Sequence, residues 1–152
     1  MQEKFMKLAL AEAQKAFDKE EIPVGAVIVQ NGKVIAKAHN LKETKHDTTN
    51  HAEILAIQKA SKKLKKWRLT DCEMYVTLEP CSMCAGALIN CRLNKLYIGT
   101  LDPKTGACGS VLNLLKDYKF NHVVDVETGI LQEECEKILK DFFKFLRKKR
   151  KD

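Results

Sequence analysis

Two short stretches of the sequence carry residue types that bind metal ions. The first is His51-Ala52-Glu53, and the second is Pro80-Cys81-Ser82-Met83-Cys84 within TLEPCSMCAGAL. A Cys-x-x-Cys pair alone is compatible with a structural zinc site, a redox dithiol or part of a catalytic metal centre. A His-x-Glu triplet alone is most often part of an ordinary surface helix. The choice between these interpretations therefore depends on whether the fold brings the two stretches together.

Together the two stretches supply three metal ligands and a proton carrier. Cysteine and histidine are the ligands that zinc prefers, and three protein ligands with an open fourth position are typical of catalytic zinc. Zinc lowers the pKa of a bound water to roughly 7–9 and so generates a hydroxide nucleophile. Glu53 could carry the proton of that water to a leaving group. The order H-x-E, 26 residues, then P-C-x-x-C is the signature of zinc-dependent nucleobase deaminases.

Each stretch lies at the predicted start of a helix. The polar run 48–50 offers caps for a helix that starts near His51, and Pro80 is expected at the first position of a helix over about 82–91. In a regular helix, side chains two residues apart point roughly 200° apart. His51 and Glu53 can therefore share a pocket only if the helix begins at His51 and its N-terminus points into that pocket.

The remaining elements are predicted from hydrophobic periodicity and turn residues. Residues 2–17 form an amphipathic helix, and Asn31-Gly32 between two apolar runs predicts a β-hairpin. Further strands are expected at 73–78, 94–99 and 122–127. A final helix starts near Ile130, with one apolar face formed by Leu131, Cys135, Ile138, Phe142 and Phe145. The order α-β-β-α-β-α-β-β-α predicts an α/β fold in three layers, α-β-α, with a central mixed five-stranded sheet.

Length and composition favour one globular domain over residues 1–152. The chain has 152 residues, of which 45% are hydrophobic and 31% charged, and no apolar stretch approaches the ~20 residues of a membrane span. The N-terminus lacks the features of a signal peptide, so we expect a cytoplasmic protein with reduced cysteines. Four further cysteines are then small buried hydrophobes, unless one of them completes a structural zinc site: Cys72, Cys91, Cys108 and Cys135.

Positive charge is concentrated in two segments of the chain. The net charge is +7, residues 59–68 contain six Lys or Arg and no acid, and residues 140–152 contain seven against two Asp. This distribution favours a polyanionic partner, nucleic acid first, over a membrane surface. The alternative is two solvated helix faces, and we expect this for the lysines at 62–66. Phe143 lies off the apolar face of the last helix, where it could stack on a base.

The sequence resembles the bacterial tRNA-specific adenosine deaminases of the cytidine deaminase-like superfamily. The resemblance covers nearly the full length, and the zinc motif alone marks only the superfamily. The stretches that carry it are VGAVIV (24–29), HN (39–40), HD-T-HAEI (46–54), YVTLEPCSMCAGALI (75–89), D-KTGA-GS (102–110), NH (121–122) and GIL…DFF (129–143). Relatives usually have proline and alanine where this chain has Thr48 and Asn50, two replacements that could alter contacts to the base.

The resemblance implies a role for individual residues. It implies one zinc ion per subunit, held by His51, Cys81 and Cys84, and a catalytic proton shuttle at Glu53. It implies that the flipped nucleotide is bound by a side chain, two main-chain positions and two apolar positions: Asn40, Ala52, Pro80, Val24 and Leu78. It also implies RNA contacts at Asp102, Lys104, Asn121, His122, Phe143, Arg147 and Lys148.

The implied reaction is hydrolytic deamination of adenosine to inosine in tRNA, at the anticodon wobble position, by a homodimer. The partner would be the anticodon stem-loop, in which a base can be splayed out at little cost in stacking. A small-molecule deaminase that acts on guanine, cytosine or a nucleotide could use the same zinc centre but would not need the basic 140–152 segment. A non-catalytic RNA-binding module with structural zinc is the alternative from another class, and there Glu53 would have no catalytic role.

Overall fold

The computed structural model describes residues 1–151, and its elements follow the predicted order. The helices and strands are α1 (Gln2–Asp18), β1 (Gly25–Gln30), β2 (Lys33–His39), α2 (Ala52–Leu64), β3 (Cys72–Leu78), α3 (Ser82–Asn90), β4 (Lys95–Thr100), β5 (Asp125–Thr128) and α4 (Gln132–Lys151). No helix within these residues is long and apolar enough to cross a membrane.

The five strands form one mixed sheet with the order β2-β1-β3-β4-β5. β1 pairs antiparallel with β2 and β3, whereas β3, β4 and β5 run parallel. The predicted hairpin joins β1 to β2 through Asn31 and Gly32, which have φ angles of 50° and 76°. Positive φ at both turn residues is the conformation that the twist of a two-residue hairpin requires. The prediction of a mixed five-stranded sheet is therefore confirmed.

Helices cover both faces of the sheet, as alternation along the strands requires. On β1, Val27 and Val29 pack with α1 and the start of α4, whereas Ala26 and Ile28 point to the opposite face. That opposite face is covered by α2 and α3, and most of their buried residues belong to the same core as Ala26 and Ile28. The three-layer α-β-α arrangement predicted from the sequence is confirmed.

The last strand and the last helix start later than predicted. β5 begins at Asp125 rather than at 122, and α4 begins at Gln132 rather than near Ile130. Leu131 has a φ of 53°, a left-handed conformation that a right-handed helix does not contain. Ile130 instead packs into the core on the α1 face of the sheet. The apolar pattern of the sequence thus begins before the helix does, and this is why the predicted start is two residues too early.

One edge of the sheet positions the predicted site. Strand β3 ends at Leu78, and Glu79 and Pro80 lead directly into α3. β1 runs antiparallel to β3, so the start of β1 lies at the same edge, where the Gly25 N–H donates to the Thr77 hydroxyl oxygen over 3.1 Å. The carboxyl end of a strand near a change in strand direction is a common place for ligand sites in α/β folds.

Candidate active site and metal centre

The fold brings His51, Cys81 and Cys84 together although they lie on two different helices. Their ligand atoms are all within 4.8 Å of one another. The Nδ1 atom of His51 is 3.6 Å from the sulfur of Cys81 and 3.5 Å from the sulfur of Cys84. Within residues 1–151, no other group of three potential ligands approaches in this way. The cluster contains the three residues predicted as ligands and no fourth cysteine.

The ends of the two helices explain how the ligands converge. His51 is the N-cap of α2 with extended backbone (φ −76°, ψ 153°), and Cys81 is the N-cap of α3 with φ −75° and ψ 178°. Because His51 stands before the first helical turn, the 200° separation of a regular helix does not apply to it and Glu53. Cys84 lies in the first turn of α3, one turn after Cys81.

Two predicted details of these helix starts are wrong. Residues 48–50 do not cap α2, since His51 occupies the cap position and the hydroxyl and N–H of Thr49 both donate to Asp47. Pro80 is not the first residue of α3 but precedes the N-cap Cys81. Pro80 therefore lies in the connection between β3 and α3, directly before Cys81, and its ring lies outside the helix.

The geometry of the cluster fits a tetrahedral zinc ion. Zinc binds imidazole nitrogen at about 2.0 Å and thiolate sulfur at about 2.3 Å, so a tetrahedral centre separates nitrogen from sulfur by about 3.6 Å. The two nitrogen–sulfur distances in the protein are 3.5 and 3.6 Å. The donor set of one imidazole and two thiols is also a set used by catalytic zinc.

Electrostatic coupling makes this cluster a source of thiolate. A hydrogen bond from Cys84 lowers the pKa of the Cys81 thiol, and His51 lowers it further. The same hydrogen bond raises the pKa of Cys84, since its proton is held between the two sulfurs. The bond to Cys81 in turn raises the pKa of His51. These shifts favour the thiolate form of Cys81, which is the form in which cysteine binds a metal ion.

Glu53 is the one carboxylate in the first turn of α2, and it is buried beside the cluster. Its exposed fraction is 4%. Burial raises the pKa of Glu53 to about 7, because the charged carboxylate is removed from water. A carboxyl group with a pKa near neutrality can both accept and release a proton, as a general acid-base group must.

A cavity of about 300 Å³ opens next to the cluster. Four of the five residues predicted to bind the nucleotide line its wall, together with His51, Glu53 and Cys81: Val24, Asn40, Ala52 and Leu78. The fifth, Pro80, is buried, and its carbonyl oxygen accepts a hydrogen bond from the Ala107 N–H over 2.9 Å rather than facing the cavity. Thr48 and Asn50 are also outside the lining. The size is at the lower end of the range for small-molecule sites.

Asn40 is held in place before any ligand arrives. Its side-chain nitrogen donates to the carbonyl oxygen of Ile22 over 3.3 Å, and its side-chain oxygen accepts from the N–H of Lys42 over 3.1 Å. With an exposed fraction of 6%, the amide faces the cavity in a fixed orientation. This is the arrangement expected of a group that selects one orientation of a ligand.

The predicted RNA contacts fall into separate places. Asp102 lines the cavity, and a basic groove on α4 is lined by three of the others, Lys104, Phe143 and Arg147, with Leu139, Lys140, Leu146 and Arg150. Lys148 lies in a different hollow with Glu20, Phe145 and Lys149. Phe143 is 43% exposed, whereas Phe142 is 1% exposed. The predicted difference between the two phenylalanines is thus confirmed.

Other predicted groups lie away from the cavity. Asn121 and His122 precede β5 at the far edge of the sheet, where the His122 ring donates to the carbonyl oxygen of Leu93 over 2.6 Å. The lysines at 62–66 are exposed at the C-terminal end of α2, opposite the end that carries His51. Cys72, Cys91, Cys108 and Cys135 are buried, as predicted.

Two buried glutamates beside the site were not predicted. Glu79, with 3% exposure, accepts hydrogen bonds from the 102–110 loop, and Glu21, with 0% exposure, accepts them from the N–H groups of Glu43 and Thr44. The only sequence signal was their place beside apolar segments, in KEEIP and TLEPC. Both hold loops that surround the cavity.

Comparisons with known proteins agree with this geometry. Residues 1–147 match the MafB19-like deaminase family. A tRNA-specific adenosine deaminase of Bacillus subtilis (strain 168) is 51% identical over 149 residues, which cover 98% of this chain and 92% of that protein.

Two solved structures extend the comparison. One, from work on A-to-I editing by tRNA:A34 deaminases at the wobble position of transfer RNA, is 43% identical with a TM-score of 0.87, covering 90% of this chain and 99% of that one. A guanine deaminase of Bacillus subtilis is 31% identical with a TM-score of 0.62, covering 78% of this chain and 85% of that one. Similarity is thus greater to the proteins that act on transfer RNA.

Proposed function

The chain belongs to the MafB19-like deaminase family, and from that membership we propose that it deaminates adenosine to inosine in tRNA at the anticodon wobble position. The observation that carries the proposal is the placement of buried Glu53 in the same cavity as His51 and Cys81. The similarity to the tRNA-specific adenosine deaminase of Bacillus subtilis supports the choice of substrate.

His51, Cys81 and Cys84 would hold one zinc ion per subunit. Zinc held by three protein ligands supplies a hydroxide nucleophile at neutral pH. The separations of 3.5 and 3.6 Å between the His51 nitrogen and the two sulfurs support this ligand set. Since His51 and Cys81 line the cavity, a base bound there would lie beside the ion that these residues would hold.

Glu53 would carry the protons of the reaction. It takes a proton from the attacking water and delivers it to N1 of adenine, which makes C6 more electrophilic. A bond forms between the water oxygen and C6. Glu53 then takes the remaining proton from the C6 hydroxyl and delivers it to the amino nitrogen, the bond from C6 to that nitrogen breaks, and ammonia leaves as the C6 carbonyl of inosine forms. The raised pKa of Glu53, about 7, suits a group that must release what it accepts.

The walls of the cavity would hold the flipped base and its ribose. Val24 and Leu78 provide apolar surface on which a purine ring can pack, and the fixed amide of Asn40 provides one donor and one acceptor. A main-chain group at Ala52, beside Glu53, would add a polar contact. Pro80 would only support the wall, since its carbonyl oxygen accepts a hydrogen bond from the Ala107 N–H.

The RNA strand would leave the cavity along α4. A hollow next to the cavity shares Asn40 and Lys42 with it, and the same hollow shares Phe143 and Leu146 with the basic groove on α4. The surface is therefore continuous from the site of chemistry to Arg147. Cations beside an exposed aromatic ring suit a single-stranded loop, whose phosphates and bases they can contact in turn.

A homodimer in the cytoplasm, where transfer RNA is used, completes the proposal. The segment 111–123 exposes four large apolar side chains, with exposed fractions between 48% and 71%: Val111, Tyr118, Phe120 and Val123. Such a concentration of apolar surface is typical of a protein interface. In the same segment, the side-chain oxygen of Asn113 is buried without a hydrogen-bond partner among residues 1–151.

A deamination assay tests the proposal against the guanine or cytosine alternative. The protein is incubated with an anticodon stem-loop that carries adenosine at the wobble position, and separately with free guanine, cytosine and adenosine. We expect inosine in the stem-loop and little ammonia from the free compounds. Ammonia released only from the free compounds would contradict the proposed substrate. The protein would then still be a deaminase, but one that acts on small molecules.

A further inference from the structure

Glu79 accepts four hydrogen bonds from one loop. The N–H of Asp102 donates to one carboxylate oxygen over 2.9 Å, and the N–H groups of Cys108 and Ser110 donate to the other over 2.9 and 3.0 Å. The hydroxyl of Ser110 donates as well. Since the side chain is buried and its two oxygens are occupied by these donors, the loop is closed around the carboxylate.

Gly106 shows how closely the loop approaches. A Cβ atom at this position would lie 2.3–2.4 Å from the carboxylate atoms of Glu79, a distance that non-bonded atoms do not reach. The Gly106 N–H also donates to the carbonyl oxygen of Asp102 over 2.9 Å. The stretch D-x-K-T-G-A-x-G-S is therefore the sequence of a loop that fits around one buried carboxylate.

A second set of bonds continues from the base of the loop to its tip. The Asp102 side chain accepts from the N–H of Lys104 over 3.0 Å, and from the N–H and hydroxyl of Thr105 over 3.3 and 2.7 Å. Asp102 and Thr105 line the cavity, and Lys104 lines the basic groove on α4. The carboxylate of Glu79 thus determines where these three residues lie.

The 102–110 loop is also connected to the cluster of His51, Cys81 and Cys84. Glu79 precedes Cys81 by two residues, and the Pro80 carbonyl oxygen accepts from the Ala107 N–H within the loop. The loop is therefore fixed against the turn that carries the first ligand. The hydrogen bonds of the Glu79 carboxylate go to the loop, so its effect passes through the loop.

We propose that Glu79 is a positioning residue for RNA binding, which holds the 102–110 loop so that Lys104, Asp102 and Thr105 meet the RNA at the mouth of the cavity. The inference rests on the proposed function for its substrate. A loop released from Glu79 has to be ordered again whenever RNA binds. Releasing the loop should therefore raise KM. The rate of the chemical step, in which Glu53 carries the protons, should stay nearly unchanged.

The test compares Glu79→Gln with the wild-type enzyme. With the wobble stem-loop we expect KM to rise about tenfold, since charge-assisted hydrogen bonds are lost, while kcat stays within about twofold and the zinc content is unchanged. In limited proteolysis of the folded proteins, trypsin should cleave after Lys104 faster in the variant than in the wild type. Glu21→Gln is the matched control, because it alters a carboxylate that is equally buried but holds a different loop, and it should not speed cleavage after Lys104.

Each other result overturns the inference. An unchanged KM, a kcat that falls as much as KM rises, a loss of zinc, or equal acceleration of cleavage at all lysines and arginines would each do so. If Glu79→Gln does not fold, Ser110→Ala removes one donor only and should raise KM about threefold. Cleavage after Lys104 needs no RNA, so it still reports on the loop if the stem-loop proves not to be a substrate.

Discussion

The Nδ1 atom of His51 lies 3.5 Å from the sulfur of Cys84, although the two residues are 33 positions apart. We expect Cys84→Ala to lower the zinc content from about one ion per chain to near zero, because two protein ligands do not form a stable zinc centre. Deaminase activity should be lost with the metal. Metal analysis by mass spectrometry of the purified proteins measures the first effect.

Cys135→Ala is the control for this substitution. Cys135 is also a buried cysteine, but it packs on the opposite face of the sheet, so its removal should leave the zinc content unchanged. Full zinc content in Cys84→Ala would remove this residue from the proposed ligand set.

Glu53→Gln should separate metal binding from turnover. The amide cannot carry a proton, so we expect inosine formation on the stem-loop to slow by about 10²–10⁴-fold, with zinc content and RNA affinity close to those of the wild type. Single-turnover rates and metal analysis on the same samples measure the two effects. Normal activity in this variant would favour a non-catalytic role for Glu53. Glu43→Gln changes an exposed glutamate and should leave the rate unchanged.

The cluster of His51, Cys81 and Cys84 could be predicted, because the residue types, their spacing and the helix starts are local features of the sequence. The cap of α2 could not, since the polar residues at 48–50 are the better caps by residue type. The hydrogen bonds of Thr49 go instead to Asp47. His51 thus takes the cap position and turns its Nδ1 toward the two sulfurs. Local capping preference was outweighed by the loop that precedes the helix.

The two buried glutamates show a different limit. Glu79 bonds to residues between 23 and 31 positions away, and Glu21 to residues 22 and 23 positions away. Their role depends on which loops the sheet topology brings beside them. Their place beside apolar segments is too weak a signal to distinguish either residue from an ordinary surface glutamate. Burial of a carboxylate is explained only when its donors, far along the chain, are known.

Arg147 and Lys148 are neighbours that face different hollows, so they should differ in RNA binding. Arg147→Gln removes a cation from the groove that continues to the cavity, and we expect the slope of log Kd against log salt concentration to fall by about one. Lys148→Gln should change the slope less. Titration of a labelled stem-loop at several salt concentrations provides the slopes. Equal effects of the two substitutions would argue against a strand path along this groove.

Val123→Asp should weaken the proposed dimer. Val123 is 71% exposed in the segment with Tyr118 and Phe120, and a carboxylate buried at an apolar interface without a partner is strongly unfavourable. Light scattering coupled to size-exclusion chromatography should give the mass of two chains for the wild type and of one for the variant. A single-chain mass for the wild type at micromolar concentration would contradict the homodimer.

Glu21→Gln should destabilise the protein at neutral pH and much less at acidic pH. Burial opposes ionisation of Glu21, but hydrogen bonds from Thr44 and Glu43 outweigh it and hold its pKa below the ordinary value of 4.5. A group whose pKa is lowered by folding stabilises the fold above its unfolded pKa, and this contribution is lost as the pH falls through the folded pKa. At pH 7 we therefore expect the free energy of unfolding to fall by about 2 kcal/mol.

Urea denaturation of both proteins between pH 7 and pH 3.5 measures this difference. The two free energies of unfolding should approach each other as the pH falls below 4.5, since the carboxylate of the unfolded wild-type chain takes up a proton there, whereas the folded one does so only at lower pH. Glu43→Gln, an exposed glutamate on the loop that Glu21 holds, should change the stability by less than about 0.5 kcal/mol at every pH. A difference for Glu21→Gln that stays constant with pH would mean that packing, rather than charge, determines its contribution.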